Sequence, residues 1–419
     1  MAAPSKLQIS VLDNSRKDPN LNSDTPSTTA NKEHWANPEG SSFINPWPSW
    51  RFATKWERFK LIGTGLSMSF AAPDSQRVST ELPIRTPTWG SGQQASTEIQ
   101  KKEQVKATWL GHACFLVEFP SRAAAAADGD ATDGRTAQRG LRILFDPVFS
   151  DRCSPSQLVG PKRFTPPPCK IEEIPHIDAI VISHDHYDHL DTHTIRTLAN
   201  SPSFPHIFAG LGNGPFFESL GIPKSRTHIM DWWESKRLEV SENGRVVGTV
   251  DITCTPAQHF SGRSFSAYYT TLWASWSVEE VVPAAQAEQP ERRDAVKLFF
   301  GGDTGYRSVM DHQKEDEVPV CPAFKEIGNV FGGFDLALIP IGAYLPRQFM
   351  SPIHCAPQDS VKLFKDIKAK KAIGMHWGTW VLTTEDVLEP PKRLKEECRK
   401  AGIDEDDFRV CDIGQTLCF

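Results

Sequence analysis

The nine residues "SHDHYDHLD" (183–191) follow directly on the apolar run "IDAIVI" (177–182), and no other stretch constrains the fold as tightly. A short apolar run ending in turn-formers reads as a strand buried on both faces. His184, His186, Asp188 and His189 then fall in the turn at its carboxyl end, where α/β proteins place their ligands. Crowding three imidazoles and a carboxylate into one turn with no cation present is repulsive and costly to desolvate. Imidazole nitrogen and carboxylate oxygen suit Zn²⁺, and H-x-H-x-D-H spacing lets alternate side chains converge on one point. A catalytic zinc takes about three protein ligands and leaves a position open. The cluster is therefore too large for one such site and too small for two.

Other strand ends make up the deficit. His259 follows "ITCTPAQ", Asp303 follows "KLFFGG" and His376 follows "KAIGM", each directly after an apolar run. A single histidine in such a place is most often a hydrogen-bonded surface or capping residue. With the cluster, the three complete a set of seven candidate ligands. His112 in "LGHAC" and His193 read as structural residues, or as neighbours that orient a ligand. Asp146 in "LFDP", at a further strand end, reads as a partner for a metal-bound histidine.

Strand-like runs recur from about residue 105 onward, among them "VKATWLGHACFLVEF", "LRILFDPVF", "HIFAG", "THIMDWW", "GTVDITCTPA", "YYTTLWASWSV" and "FDLALIPIG". Helical patterns fall between some of them: "DTHTIRTLAN", "GPFFESLG", "APQDSVKLFKDIKAK" and "EPPKRLKEECRKAG". The mixture predicts one continuous layered α/β domain over 105–419. Two low-complexity stretches, 121–140 and 278–297, read as surface loops inserted at hairpin tips. Residues 1–40, rich in Ser, Asn, Asp, Pro and Thr, read as a flexible tail. Between tail and body, 41–104 is an arm opening on "SSFINPWPSW", whose Pro46 and Pro48 forbid a regular helix, before an amphipathic helix within 51–70. Its Trp47 and Trp50 pack on the core or face a membrane interface; Trp232 and Trp233 read as core residues, with the lining of an apolar groove as the alternative.

A net charge of −6 with no long Lys/Arg block argues against a nucleic-acid partner. It also offers no basic patch to an anionic membrane, so lipid contact must lean on apolar and aromatic side chains. The nine scattered cysteines, with no C-x-x-C pair, read as reduced packing residues of an intracellular protein. The first residues lack the apolar run of a signal peptide, and no stretch approaches the roughly 20 apolar residues that span a bilayer.

The ligand pattern resembles the metallo-β-lactamase superfamily, which implies a four-layer αββα sandwich with a two-metal site. On that pattern His184, His186 and His259 hold the first Zn²⁺, Asp188, His189 and His376 the second, and Asp303 bridges them. "FINPWPSW", "FDPVFSDRCSPSQLVGPKRFTPPPC", "IDAIVISHDHYDHLD", "FFGGDTGY", "FDLALIPIGAYLPRQFM" and "MHWGTWVLTTEDVLEPPKRLKE" resemble more narrowly the N-acyl-phosphatidylethanolamine-hydrolysing phospholipase D family, from about residue 41 to the end. The resemblance implies a peripheral membrane enzyme acting on a phospholipid through a metal-bridging hydroxide, with an apolar channel facing the membrane, often within a homodimer. The arm at 43–50 is the candidate for part of that channel. The resemblance further implies that Asp188 orients the hydroxide and that His354, in "MSPIHCAP", serves the phosphate or the leaving group. Ile353 is apolar where a polar partner is expected. A lactonase or other hydrolase of a soluble substrate would use the same site, but would need no aromatic membrane edge. A non-catalytic binding module would lack a ligand, and none is missing.

Overall fold

The apolar run before the histidine cluster contains the strand Ala179–Val181, and its side chains divide between two cores. Ala179 and Val181 enter one, while Ile180 and Ile182 enter the other. Such alternation, with both faces buried, places the strand inside a sheet covered on each side. The computed structural model describes residues 7–15, 17, 32–51, 73–91, 104–121, 139–264, 267–282 and 294–419. Its strands are β1 Leu7–Asn14, β2 Lys106–Gly111, β3 Cys114–Glu118, β4 Arg142–Phe145, β5 Ala179–Val181, β6 His206–Gly210, β7 Thr227–Met230 and β8 Ser235–Glu242. They continue with β9 Arg245–Thr255, β10 Ser275–Glu280, β11 Lys297–Phe300, β12 Phe334–Pro340, β13 Ala369–Met375, β14 Phe408–Arg409 and β15 Thr416–Cys418.

One sheet runs β1-β8-β9-β10-β11-β12-β13-β14 and the other β15-β2-β3-β4-β5-β6-β7. In each, an antiparallel half passes into a parallel half, at β11–β12 and at β4–β5. The larger core joins the facing sides of both sheets: Phe115, Phe145 and Val181 from one, Ile252, Trp276 and Phe300 from the other. Helices cover the outer faces. On the smaller sheet, α2 (Thr192–Ala199) and α3 (Gly214–Ser219) bury Ile195, Leu198 and Phe217 against Ile180 and Ile207. On the larger, α4 (Ala323–Phe331) and α6 (Pro357–Asp366) bury Phe324, Ile327 and Leu363. The remaining helices are α1 Ser75–Glu81, α5 Arg347–Met350 and α7 Glu389–Ala401. This is the αββα sandwich that the ligand pattern implies. Among the described residues, no helix is long and apolar enough to cross a membrane.

Part of the expected flexible tail is ordered. Residues 7–14 form β1, antiparallel to β8 with Val11 opposite Leu238. Leu7, Ile9 and Val11 alternate with polar residues and pack on the inter-sheet core. The period of two outweighs the polar composition of its surroundings. "YYTTLWASWSV" is a strand only from Ser275. Before it the backbone crosses between loops, Leu272 N–H donating to Leu211 O at 2.8 Å and Ala274 N–H to Ser183 O at 2.9 Å. The helix expected within 51–70, and most of both low-complexity insertions, lie outside the described residues. In the arm, Phe43, Asn45 and Ser49 are buried and Trp47 stacks on Trp232 at 5.4 Å, so this stretch packs on the core. Within 43–50 only Ile44 among the apolar residues stands well exposed, at 45%.

Candidate metal centre

The parallel strands aim their carboxyl ends at one place. Ser183 and His184 follow β5, Asp303 follows β11 and His376 follows β13; Asp146 follows β4, and His259 comes four residues after the antiparallel β9. The two sheets meet closely here. Gly302 has φ +54°, and a Cβ on it would lie 2.5 Å from Ser183 Cβ, so only glycine lets the Asp303 turn approach the histidine turn. The turn itself is closed by Asp191. It caps α2 by accepting from the His193 and Thr194 N–H groups, and also accepts from the Ser150 hydroxyl.

Hydrogen-bond partners fix the protons on three imidazoles. His259 Nδ1 lies 2.8 Å from the Ile353 carbonyl, which can only accept, so Nδ1 carries the hydrogen. His189 Nδ1 likewise donates to Asp146 Oδ2 at 2.6 Å. Ser183 donates its hydroxyl to that same oxygen at 2.6 Å and therefore accepts from His184 Nδ1 at 2.9 Å. At His184 and His259, where burial disfavours the charged ring, Nε2 is left as a bare lone pair facing inward, the state in which histidine binds a metal. At His189 burial is outweighed by Asp303, Asp188 and Asp146, which raise the group well above its ordinary value, so its Nε2 faces Asp303 as the proton's seat that a metal ion would take over.

These nitrogens converge in two groups. His184 Nε2 and His259 Nε2 lie 2.9 and 3.3 Å from His186 Nδ1. Asp188, His189 and His376 form the second group together with His112, their ligand atoms all within 4.8 Å of one another. Asp303 reaches both: Oδ2 is 3.8 Å from the Nε2 atoms of His184 and His259 and 3.2 Å from His189 Nε2, while Oδ1 is 2.9 Å from His376 Nε2. His189 Nε2 is buried without a hydrogen-bond partner among the described residues, and His376 Nε2 faces the carboxylates of Asp303 and Asp188. Facing lone pairs and orphaned buried nitrogens are unfavourable as they stand and become favourable around a cation. The donor set thus fits divalent metal.

The electrostatics agree. Burial, reinforced by the neighbouring imidazoles, pushes His184 well below its ordinary value, and burial pushes His259 the same way despite Asp303. At His376 burial opposes charge, yet Asp303 and Asp188 outweigh it and raise the group to about 9. Asp303 and Asp188 stay well below the usual carboxylate range, since the imidazoles overcome their burial. The centre is a place where positive charge is stabilised, as a proton or as a metal ion.

All seven candidate ligands lie at this one centre, and His354 is beside them, its Nδ1 3.8 Å from Asp303 Oδ2. Asp146 stands behind His189. His112 donates to Asp188 Oδ2 at 3.0 Å, whereas His193 is exposed on α2 outside the centre. Trp232 is buried in the core. Sequence reasoning missed the clamp behind His259. Asn45 Nδ2 donates to the His259 carbonyl at 2.7 Å, Ser49 Oγ to Gln258 Oε1 at 2.5 Å, and Gln258 Nε2 to Pro352 O at 2.9 Å, one residue before the carbonyl that holds His259. Asn45 and Ser49 sit within "FINPWPSW", so that motif carries a buttress as well as aromatic packing. Asn45→Ala leaves a buried carbonyl unpaired and is expected to lower stability by about 1–3 kcal/mol in a denaturant melt; an unchanged melt would show that the clamp carries nothing.

The two-sheet fold and its histidine–aspartate centre define a metal-dependent hydrolase of the metallo-β-lactamase superfamily, and the Beta-lactamase superfamily domain matches residues 141–377. The chain is 32% identical over 405 residues to N-acyl-phosphatidylethanolamine-hydrolyzing phospholipase D 1 of Caenorhabditis elegans, covering 93% of this chain and 97% of that protein. It is 30% identical over 406 residues to the mitochondrial N-acyl-phosphatidylethanolamine-hydrolyzing phospholipase D of Saccharomyces cerevisiae, covering 90% and 75%. Within the superfamily, the chain belongs to the N-acyl-phosphatidylethanolamine-hydrolysing phospholipase D family. Among solved structures, a possible metal-dependent hydrolase from Veillonella parvula superposes with a TM-score of 0.48 at 15% identity, over 75% of this chain and 99% of that one.

Proposed function

We propose that the chain is a zinc-dependent phosphodiesterase of the phospholipase D type, hydrolysing N-acyl-phosphatidylethanolamine to N-acylethanolamine and phosphatidic acid. The observation that supports it best is the pair of buried histidine–carboxylate clusters joined by a single carboxylate, in a chain that matches the nematode enzyme over nearly its whole length. His184, His186 and His259 would hold one zinc, and Asp188, His189 and His376 a second, with Asp303 placed between the two groups. When bound, the two ions supply Lewis acidity that activates water near neutral pH and offsets charge developing on the phosphoryl oxygens.

The chain's own groups do the rest. Asp303 fixes the spacing of the two clusters, and Asp188, held from behind by His112, orients the attacking water. His354 offers a buried nitrogen to the phosphoryl group or to the departing oxygen of the N-acylethanolamine, which must gain a proton as the phosphorus–oxygen bond breaks. A substrate embedded in a bilayer also requires peripheral contact with the membrane surface.

The test is a mass-spectrometric assay of metal-analysed protein on N-acyl-phosphatidylethanolamine in mixed micelles. Both products are expected, in proportion to zinc up to about two ions per chain. Full metal occupancy without product would overturn the substrate and turn attention to soluble lactones and phosphodiesters. Turnover that survives complete metal removal would overturn the mechanism.

A further inference from the structure

Residues 151–164 include the stretch "SPSQLVGPKRF" and form a loop fastened to the wall of the metal centre. Arg163 N–H donates to Asp151 O at 2.8 Å, Phe164 N–H to Thr379 O at 2.9 Å, and Trp380 Nε1 to Asp151 O at 3.2 Å. Trp380 in turn stands edge-on to His112, their rings 4.9 Å apart. Within the loop, Arg152 donates to the Gln157 and Gly160 carbonyls, and Gln157 Nε2 returns a hydrogen bond to Arg152 O at 2.9 Å. The loop is therefore built in one shape, and that shape presents its apolar tip to solvent. Leu158 is 87% exposed and Val159 66%, more than any other large apolar residue described.

Beneath the tip lies a cavity of about 570 Å³ lined by Arg152, Lys162, Arg163, Phe164 and Val381. Val381 also lines the cleft beside His112 and His376, so the two spaces adjoin. Arg163 is only 8% exposed. Its guanidinium donates to the Val148 carbonyl at 3.0 Å and lies 4.9 Å from the Trp380 ring, but Nε has no partner and the group forms no ion pair among the described residues. Burial pushes this group down to about 10, with Asp151 and Asp191 opposing only from a distance. Buried charges are ordinarily paired, and a guanidinium fork matches phosphate oxygens two at a time.

We propose that this cavity binds the phosphate monoester headgroup of an anionic phospholipid, with Arg163 at its floor, Arg152 and Lys162 around it, and Leu158 and Val159 in the acyl layer. A monoester phosphate brings nearly two negative charges near neutral pH, which suits three cations better than the single charge of a diester. A free anion would leave the exposed Leu158–Val159 tip without a role, whereas a lipid uses both features of the loop. The protein's net charge of −6 gives an anionic surface no general attraction, so binding must be local. The inference rests on the reading of a lipid substrate and adds to it a second lipid site, distinct from the one where bond cleavage occurs.

The test uses metal-loaded full-length protein and flotation with phosphatidylcholine vesicles, with and without phosphatidic acid. Phosphatidic acid is expected to strengthen binding, and Lys162→Glu and Arg163→Gln each to weaken that binding roughly tenfold. Leu158→Asn is expected to weaken binding to both kinds of vesicle. Lys162 is exposed, so its variant keeps the test decisive should Arg163→Gln fail to fold. Equal binding to the two kinds of vesicle, or undiminished binding of Lys162→Glu, overturns the proposal. If inorganic phosphate raises the melting temperature of the wild type in an Arg163-dependent way while phosphatidic acid does not strengthen vesicle binding, the cavity takes free phosphate and the lipid assignment falls. The initial rate of hydrolysis in detergent micelles without added phosphatidic acid is expected to be unchanged in Lys162→Glu. A wild type inactive in those micelles would overturn the substrate reading instead, while flotation would still decide the lipid site.

Discussion

Asp303→Asn is expected to lower hydrolysis by about a thousandfold or more, equivalent to about 4 kcal/mol of lost transition-state stabilisation. Both carboxylate oxygens are used: Oδ2 faces the nitrogens of one histidine group and His189, and Oδ1 faces His376. Asparagine keeps the shape, but one arm becomes a donor and the charge is gone. The imidazoles that hold Asp303 ionised then have no anion between them, and two metal ions would repel across a neutral amide. The fold should survive, because Asp303 lies beyond the end of β11 and takes no part in sheet pairing. Turnover, metal content by mass spectrometry and the far-ultraviolet dichroism spectrum check the three parts of the expectation. A variant that retained two metals and a rate within tenfold of wild type would show that Asp303 does not join the clusters.

The second large effect comes from a residue that touches no substrate. Asp146 accepts from His189 Nδ1, from the Ser183 hydroxyl and from the Ser183 backbone N–H, the last at 2.7 Å, and Ser183 in turn accepts from His184. A single buried carboxylate thus fixes the tautomer of one histidine in each group. In Asp146→Asn the amide NH₂ meets groups that are themselves donors, and His189 relieves the clash by moving its proton to Nε2, the atom that must be bare. Metal affinity is expected to fall roughly 10- to 100-fold, measured by competition with a chromogenic chelator, with much of the turnover restored at high metal concentration. An affinity equal to wild type would show that tautomer control lies elsewhere.

The centre was legible in the chain because its signals are local. H-x-H-x-D-H places four ligands in one turn, and His259, Asp303 and His376 each come just after an apolar run that became a strand. Asp146 could be read in the same way, as a carboxylate at a strand end. The groups that hold the ligands in place were not legible. Asn45 and His259 are 214 residues apart, and Ser49 and Gln258 are 209 apart. No periodicity or spacing links residues so distant; only the folded sandwich brings the arm to β9. Strand order was out of reach for the same reason, since β1 and β15 pair with β8 and β2 from opposite ends of the sequence. In β1 the alternation was present, but it was hidden in a segment whose composition argued the other way.

The hydrogen bond from Asn45 to the His259 carbonyl makes two equilibria into one. An ion that binds only the assembled pocket stabilises every element from which the pocket is assembled, by an amount that grows with the logarithm of its free concentration. The arm is such an element, so its seating follows metal supply although none of its side chains belongs to the ligand set. Through that hydrogen bond the metal also stabilises the seating of Phe43 and of the Trp47 face packed on Trp232. The packing of the N-terminal arm and the occupancy of the centre are thereby thermodynamically linked.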